Sequence, residues 1–240
     1  MPNGLISTAS IAPKSRNRLL DGLTVGDFAD GDLMLREYTL IRHSVLHTPN
    51  DAIEYVYFPL SGMISILTVT LSGDQIETAV VGREGVVGGS IGLFGPKSFG
   101  QATVQMPGIA MRAPAKNVLA LYKKSDAFRL ALNEFQSVLF AQAQQSAACH
   151  ARHSVKARLC RWIAQAQDVS ETDNIPLTQE FLAQMLGAQR SYVNTCVTGM
   201  QKERAIQSSR GSIRILDRSA IRNSACECYA LVRSLTAPSC

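Results

Sequence analysis

The chain has 240 residues, 46% hydrophobic and 18% charged, a composition that excludes a disordered chain and gives room for two domains, each with its own core. No apolar run reaches the ~18 residues of a membrane span, and the opening MPNGLISTASIAPKSRNR shows no charged leader followed by an apolar block. Residues 1–18 are therefore read as a flexible tail and the expected location is cytoplasmic, without a membrane partner.

Charge is uneven. Residues 1–154 carry 13 Lys and Arg against 12 Asp and Glu, a net of +1, whereas residues 155–240 carry 11 against 7, a net of +4. The basic excess gathers in the C-terminal third, as in a chain whose end meets phosphate.

From about Asp27 to Ala115 the sequence reads as β structure. Ten of the seventeen glycines fall between Gly62 and Gly108, breaking up short runs of β-branched and aromatic residues such as EYVYF, MISILTVT and QIETAVV. Ser72-Gly73-Asp74 predicts a hairpin turn between the last two. No helix-period segment stands out here, and short strands at this spacing suggest a sandwich or barrel.

The texture changes at Ser125-Asp126, a capping side chain followed by an acid. Phe128, Leu132, Phe135 and Leu139 repeat at four-three spacing, and the same count continues through Gln142, Ser146, Cys149 and His153. One reading is a helix packed on its own β domain. The other is a two-stranded coiled coil whose later part faces a partner chain. A further helix is predicted over Val155–Val169, with Leu159, Trp162, Ile163 and Ala166 inward.

Leu177–Lys202 carries the functional signal. Thr178 caps a helix that buries Phe181, Leu182, Met185 and Leu186, and Gly187 permits a sharp turn. A second helix buries Val193, Cys196, Val197 and Met200 and presents Gln189, Arg190, Ser191, Asn194, Thr195, Thr198, Gln201 and Lys202 outward. Arg190 suits the O6 and N7 edge of guanine and Asn194 suits adenine, while Ser191, Thr195 and Lys202 suit phosphate or flanking bases. Two strands follow, Ala205–Gln207 and Ser212–Leu216, with Arg210 at the tip between them as a phosphate-touching wing.

The six cysteines, Cys149, Cys160, Cys196, Cys226, Cys228 and Cys240, show no paired C-x-x-C spacing, and no histidine lies among Cys196 to Cys240. Buried or incidental thiols are expected, with no disulfide, no closed zinc site and no other metal; the role of the Cys226-x-Cys228 pair stays open. His43 with His47, and His150 with His153, are read as packing or surface residues. Without a His and carboxylate cluster in residues 27–115, neither an enzyme nor a cofactor is expected.

The order of these elements resembles the Crp–Fnr superfamily. The likeness runs from about Asn17 to Leu216 and rests on EYVYFPLSGMISIL, VGREGVVGGSIGLF and LTQEFLAQMLG, with Arg190 on the family's guanine-reading arginine. It implies an α+β fold: an antiparallel, cupin-like β-roll of the cyclic-nucleotide-binding type over residues 19–124, a dimerisation helix over 125–154, and a winged helix-turn-helix over 155–240. It also implies a transcription regulator that binds double-stranded DNA as a homodimer on a palindromic operator and contacts RNA polymerase.

The effector residues of the family depart. Ser90 stands where the ribose carboxylate belongs, and Gly100 and Gln101 replace the phosphate-gripping Arg-Ser pair. Ala143 and Gln144 replace the adenine contacts. Control by cyclic AMP is not expected, and no effector is assigned. The cluster-binding N-terminal cysteines of the oxygen-sensing branch are also absent. The competing reading is a nucleotide- or small-ligand-binding module whose helix-turn-helix serves protein contact.

Overall fold

The computed structural model describes residues 17–23 and 32–236; the tail expected over 1–18 lies almost wholly outside the described residues, as does Cys240. A single turn, α1 (Arg18–Asp21), is capped by Asn17, whose carboxamide oxygen accepts from Leu20 N–H and whose nitrogen donates to the Pro59 and Gly85 carbonyls. Seven strands then follow: β1 (Arg36–Leu40), β2 (Val45–His47), β3 (Tyr55–Pro59), β4 (Met63–Val69), β5 (Gln75–Val81), β6 (Gln101–Met106) and β7 (Gly108–Pro114). They form two antiparallel sheets, ordered β1-β7-β3 and β2-β6-β4-β5. The turn between β4 and β5 falls where Gly73 takes φ +89°, as Ser72-Gly73-Asp74 predicts. Val56, Phe58, Ile64, Val81 and Val104 fill the space between the sheets.

Three helices flank the roll: the short α2 (Ile91–Phe94), then α3 (Ala115–Lys124) and α4 (Asp126–Arg152). The sequence reading missed α2 and α3. The Ser125 hydroxyl caps α4 by accepting from Phe128 N–H. The four-three seam of α4 is buried within its own protomer: Phe128, Leu132 and Phe135 join the core of the roll, and Gln142, Ser146 and Cys149 are covered further along. The expectation that the later seam faces a partner chain is therefore corrected. Gln142 accepts from Val80 N–H at 3.2 Å and Cys149 meets the C-terminal segment, so the polar half of the seam follows intramolecular neighbours.

The C-terminal third contains α5 (Val155–Ser170), β8 (Asn174–Ile175), α6 (Gln179–Met185), α7 (Arg190–Lys202), β9 (Ile206–Ser209), β10 (Ser212–Ile215), α8 (Arg218–Ser224) and α9 (Cys228–Thr236). The sheet here is ordered β8-β10-β9, one strand more than expected. Leu159, Trp162 and Ile163 of α5 bury against Leu182, Val193, Val197 and Ile213, and also against Met63, Val80 and Met106 of the roll. Each such side chain contributes roughly 1.5–3 kcal/mol of apolar burial. Roll and C-terminal domain thus share one apolar boundary. Among the described residues no helix is long and apolar enough to cross a membrane.

One charged group lies inside that boundary. Glu77 of β5 is buried, accepts the Ser65 hydroxyl, and faces α5, which carries Arg161. Burial raises its carboxyl from 4.5 to about 7, against the pull of the Ser65 hydrogen bond and the Arg161 charge. The folded protein therefore holds a proton that the unfolded chain has already released. The stability this gives is complete below the unfolded value near 4.5 and is lost as pH rises through about 7. Glu77→Gln should flatten that decline and leave the variant the more stable by up to about 3 kcal/mol at pH 8. Denaturant unfolding of both proteins between pH 5 and pH 8 checks it; parallel pH profiles would acquit Glu77.

Candidate nucleic-acid interface

Helix α6 begins at Thr178, whose hydroxyl accepts from Phe181 N–H at 3.1 Å. It ends in paired bonds, Ala188 N–H to the Ala183 carbonyl and Gly187 N–H to the Gln184 carbonyl, with Gly187 at φ +54°. This is a Schellman cap, and the left-handed residue redirects the chain into α7. Arg158 of α5 reaches across and donates to the Leu186 carbonyl at 2.8 Å, fixing the corner from beneath. Phe181, predicted inside, is half-buried and lies 6.0 Å from the His43 ring of the roll.

On α7, Val193, Val197 and Met200 are buried while Arg190, Ser191, Asn194, Thr195, Thr198, Gln201 and Lys202 are exposed. Gln189 holds the cap position without a side-chain cap bond, so its amide is left for other contacts. The Thr195 hydroxyl donates to the Ser191 carbonyl at 3.1 Å, which ties it to its own helix. Arg190 pairs with Glu180 of α6 at 2.8 Å, the two side chains being 67% and 74% exposed. A pair that open is worth at most about 1 kcal/mol, so the guanidinium exchanges partners cheaply. Tyr192, 53% exposed beside Ser191, was missed because it falls on the flank between the polar and apolar faces.

The wing completes the surface. β9 and β10 pair with Ser209 opposite Ser212, and Arg210 stands exposed at the tip before Gly211, at φ +81°. One groove runs between the two helices and the wing and is lined by Thr178, Arg190, Gln201 and Arg210, among others. Residues up to 32 positions apart in the sequence therefore share one open face.

A separate cavity of about 550 Å³ lies in the roll under α4. Ser90, Gly100 and Ala143 line it; Gln101 instead donates to the Thr103 hydroxyl at 2.9 Å, and Gln144 is exposed to solvent. Leu93, Phe94, Phe99, Leu139 and Phe140 contribute large apolar side chains to the wall, and among the described residues no lysine, arginine or carboxylate belongs to it. His47 is the one titratable residue in the lining among the described residues, and burial holds its imidazole below the ordinary value while Nε2 hydrogen-bonds the Tyr55 carbonyl.

Cys149, Cys160, Cys226 and Cys228 are free and buried, as expected, but Cys149, Cys226 and Cys228 also converge with His153, their donor atoms all within 4.8 Å of one another. Local spacing could not reveal this, because the packing of α9 on α4 joins residues some 75 positions apart.

Fold and surface together define a helix-turn-helix protein with a wing, built onto a β-roll by a long helix. Residues 157–224 match the Crp-like helix-turn-helix domain. No curated protein matches the chain. Among solved structures, a Crp/Fnr-family transcriptional regulator from Eubacterium rectale aligns over 88% of this chain and 99% of its own at 16% identity and TM-score 0.70. FixK2 from Bradyrhizobium japonicum aligns over 81% and 98% at 13% identity and TM-score 0.68. TTHB099, a CRP-family transcriptional regulator from Thermus thermophilus, aligns over 78% and 96% at 13% identity and TM-score 0.66. The chain has the fold of these Crp/Fnr-family structures and carries a Crp-like helix-turn-helix domain over residues 157–224.

The two helix starts give a test of the local geometry. Thr178→Ala removes a cap bond and should lower stability by about 1 kcal/mol. Gln189→Ala removes none and should change it by less than about 0.5 kcal/mol. Urea midpoints of the two variants read the difference, and equal losses would contradict the cap assignment.

Proposed function

We propose that the protein binds DNA sequence-specifically as a homodimer, with α7 in the major groove of each palindromic half-site and Arg190 reading guanine. The observation that carries this reading is the exposed polar face of α7, continuous through the groove with Arg210 of the wing. Arg190 lies on the first turn of α7, where a reading helix meets base edges; Asn194 follows one turn later. Gln189, Ser191, Thr195 and Lys202 flank them, and the exposed Thr178 at the start of α6 is placed for a backbone phosphate.

The dimer contact falls on the other side of α4 from its buried seam. Leu130 and Phe140 are 60% and 65% exposed there, and Ala147, Ala148 and Ala151 continue the uncharged surface. Two such helices packed together bury that surface and set two reading heads about one helical turn of DNA, ~34 Å, apart. A reading without control by cyclic AMP is supported by the cavity in the roll, whose wall among the described residues brings no lysine or arginine to meet a cyclic phosphate. Its lining suits an uncharged, largely apolar molecule.

The central test compares Arg190→Ala and Arg210→Ala on an operator selected from randomised DNA and on a random duplex, across a salt series. Arg190→Ala should cost roughly ten- to hundredfold in operator preference, the worth of one bidentate guanine contact. Arg210→Ala should weaken both duplexes alike and make the salt dependence shallower by about one unit. Equal weakening of both duplexes by Arg190→Ala would make it a phosphate anchor and overturn the reading face. For the dimer, Phe140→Glu should shift the sedimenting species from dimer to monomer; wild-type protein that sediments as a monomer at micromolar concentration would sink the proposal.

A further inference from the structure

Helix α4 ends on a group of side chains that the DNA-binding reading does not use. Cys149 lies one turn before its end, and His153 is its C-cap, with His153 N–H bonded to the Cys149 carbonyl at 3.0 Å. Opposite them the chain leaves α8, turns through Cys226 and enters α9 at Cys228. Cys149 and Cys228 are fully buried and Cys226 nearly so. Cys149 Sγ stands 3.5 Å from Cys226 Sγ, and Cys228 Sγ stands 3.5 Å from His153 Nδ1.

Those separations are close to the edges of one coordination tetrahedron. With metal–sulfur bonds of about 2.3 Å and metal–nitrogen bonds of about 2.0–2.1 Å, tetrahedral geometry puts two sulfurs about 3.8 Å apart and sulfur and nitrogen about 3.6 Å apart. The widest donor separation, within 4.8 Å, leaves only a small contraction to close the shell. The surrounding residues support the same chemistry. Glu227 Oε1 lies 3.0 Å from His153 Nε2, which places the ring proton there and leaves the Nδ1 lone pair directed at the thiols. Gln145 donates to Cys228 Sγ at 2.9 Å, so a second polar side chain is directed at the same group of sulfurs.

We propose that Cys149, His153, Cys226 and Cys228 bind one tetrahedral Zn²⁺-class ion that ties the C-terminal helix to the end of the long helix. Three thiolates and one imidazole make a closed, structural shell with no position for substrate. A single ion fits better than an iron–sulfur cluster, whose ligands sit on separate irons and stand farther apart. The thiol protons leave as the ion enters, so no oxidant or reductant is required. The ion would sit beside Ser154, the junction where α4 gives way to α5, and would fix how the reading head leaves the long helix. This proposal stands apart from the DNA-binding reading, since metal content is measured without DNA.

The test uses the full chain. Protein produced in zinc-supplemented medium and dialysed without chelator should contain one zinc per chain by elemental analysis. Cobalt substitution should give the thiolate charge-transfer and strong visible bands of a tetrahedral cobalt–sulfur site. Cys228→Ser and His153→Ala should lose the bound metal, whereas Cys160→Ser and Cys196→Ser should keep it. Glu227→Gln keeps every ligand and should weaken zinc binding about 10–100-fold in competition with a chromogenic chelator, which separates loss of affinity from loss of fold. Chelation of the wild type should speed hydrogen exchange in α9 and the last turn of α4 but not in β3–β7. Protein that binds no zinc or cobalt, or whose intact mass shows a Cys149–Cys226 disulfide in place of metal, overturns the proposal. So does full metal retention in His153→Ala.

Discussion

Phe135 of α4 lies where the Cβ of any residue other than glycine would stand at position 85, with its ring 1.8 Å from that point. At Gly89 the approach is looser, with the Gln136 amide 2.9 Å and Leu132 3.5 Å from the Cβ position, while Gly88 turns the chain at φ +87° against His47. Gly85, with Gly89 beside it, thus lets the long helix lie directly on the backbone of the roll. Everything C-terminal depends on that approach. Ridges of larger side chains there would lift α4 away and separate Gln142 from Val80. They would also misplace the junction at Ser154 that aims α5.

The second dependence is the boundary between roll and C-terminal domain. It is mostly apolar, with Met63, Val80 and Met106 against Trp162 and Ile163, yet it contains Glu77 and Arg161, both buried. A boundary built only for stability would not place a carboxylate there, because desolvation opposes its charge and the facing guanidinium offsets only part of the cost. A shift of the roll against α5 would change the hydration of both groups. Their free energy is therefore coupled to the relative placement of the roll and the C-terminal domain.

Local pattern carried much of the fold. β5 runs over Gln75–Val81, the β-branched run that the Gly73 turn marks off, and the two helices around Gly187 bury the faces that their spacing assigns, with Phe181 and Cys196 only half-buried. These segments were legible because each states its own period and its own stop. α3 was not, since AKNVLALYKK is short and enters directly from a strand at Pro114 without a side-chain cap bond. The seam of α4 was misread in its later half because a polar heptad position says only that something polar covers it. Val80 and the α8–α9 turn do so in this chain. The cysteine–histidine group was invisible for the same reason: its halves meet only after α9 folds back on α4. The exposed face of α7 was legible residue by residue, but the Glu180–Arg190 pair was not, for it joins two helices across the turn.

Helix α4 is the one element that meets all the remaining features. One face lies on Gly85 and Gly89. A second, through Gln136, Leu139, Phe140 and Ala143, walls the cavity, and the outward side is the proposed dimer face. Phe140 belongs to both of the last two, being exposed and also part of the cavity wall. A ligand that filled the cavity would press on the side chain that a partner helix also contacts, so occupancy and dimer geometry share a residue rather than a remote pathway. The far end of the same helix carries Cys149 and His153. Rotation or sliding of α4 would therefore act directly on the junction that orients α7 toward DNA, and an ion held there would stiffen the lever without touching the cavity. Ligand and metal would then act at opposite ends of one rigid helix, the first biasing its position and the second fixing what that position does to the reading head.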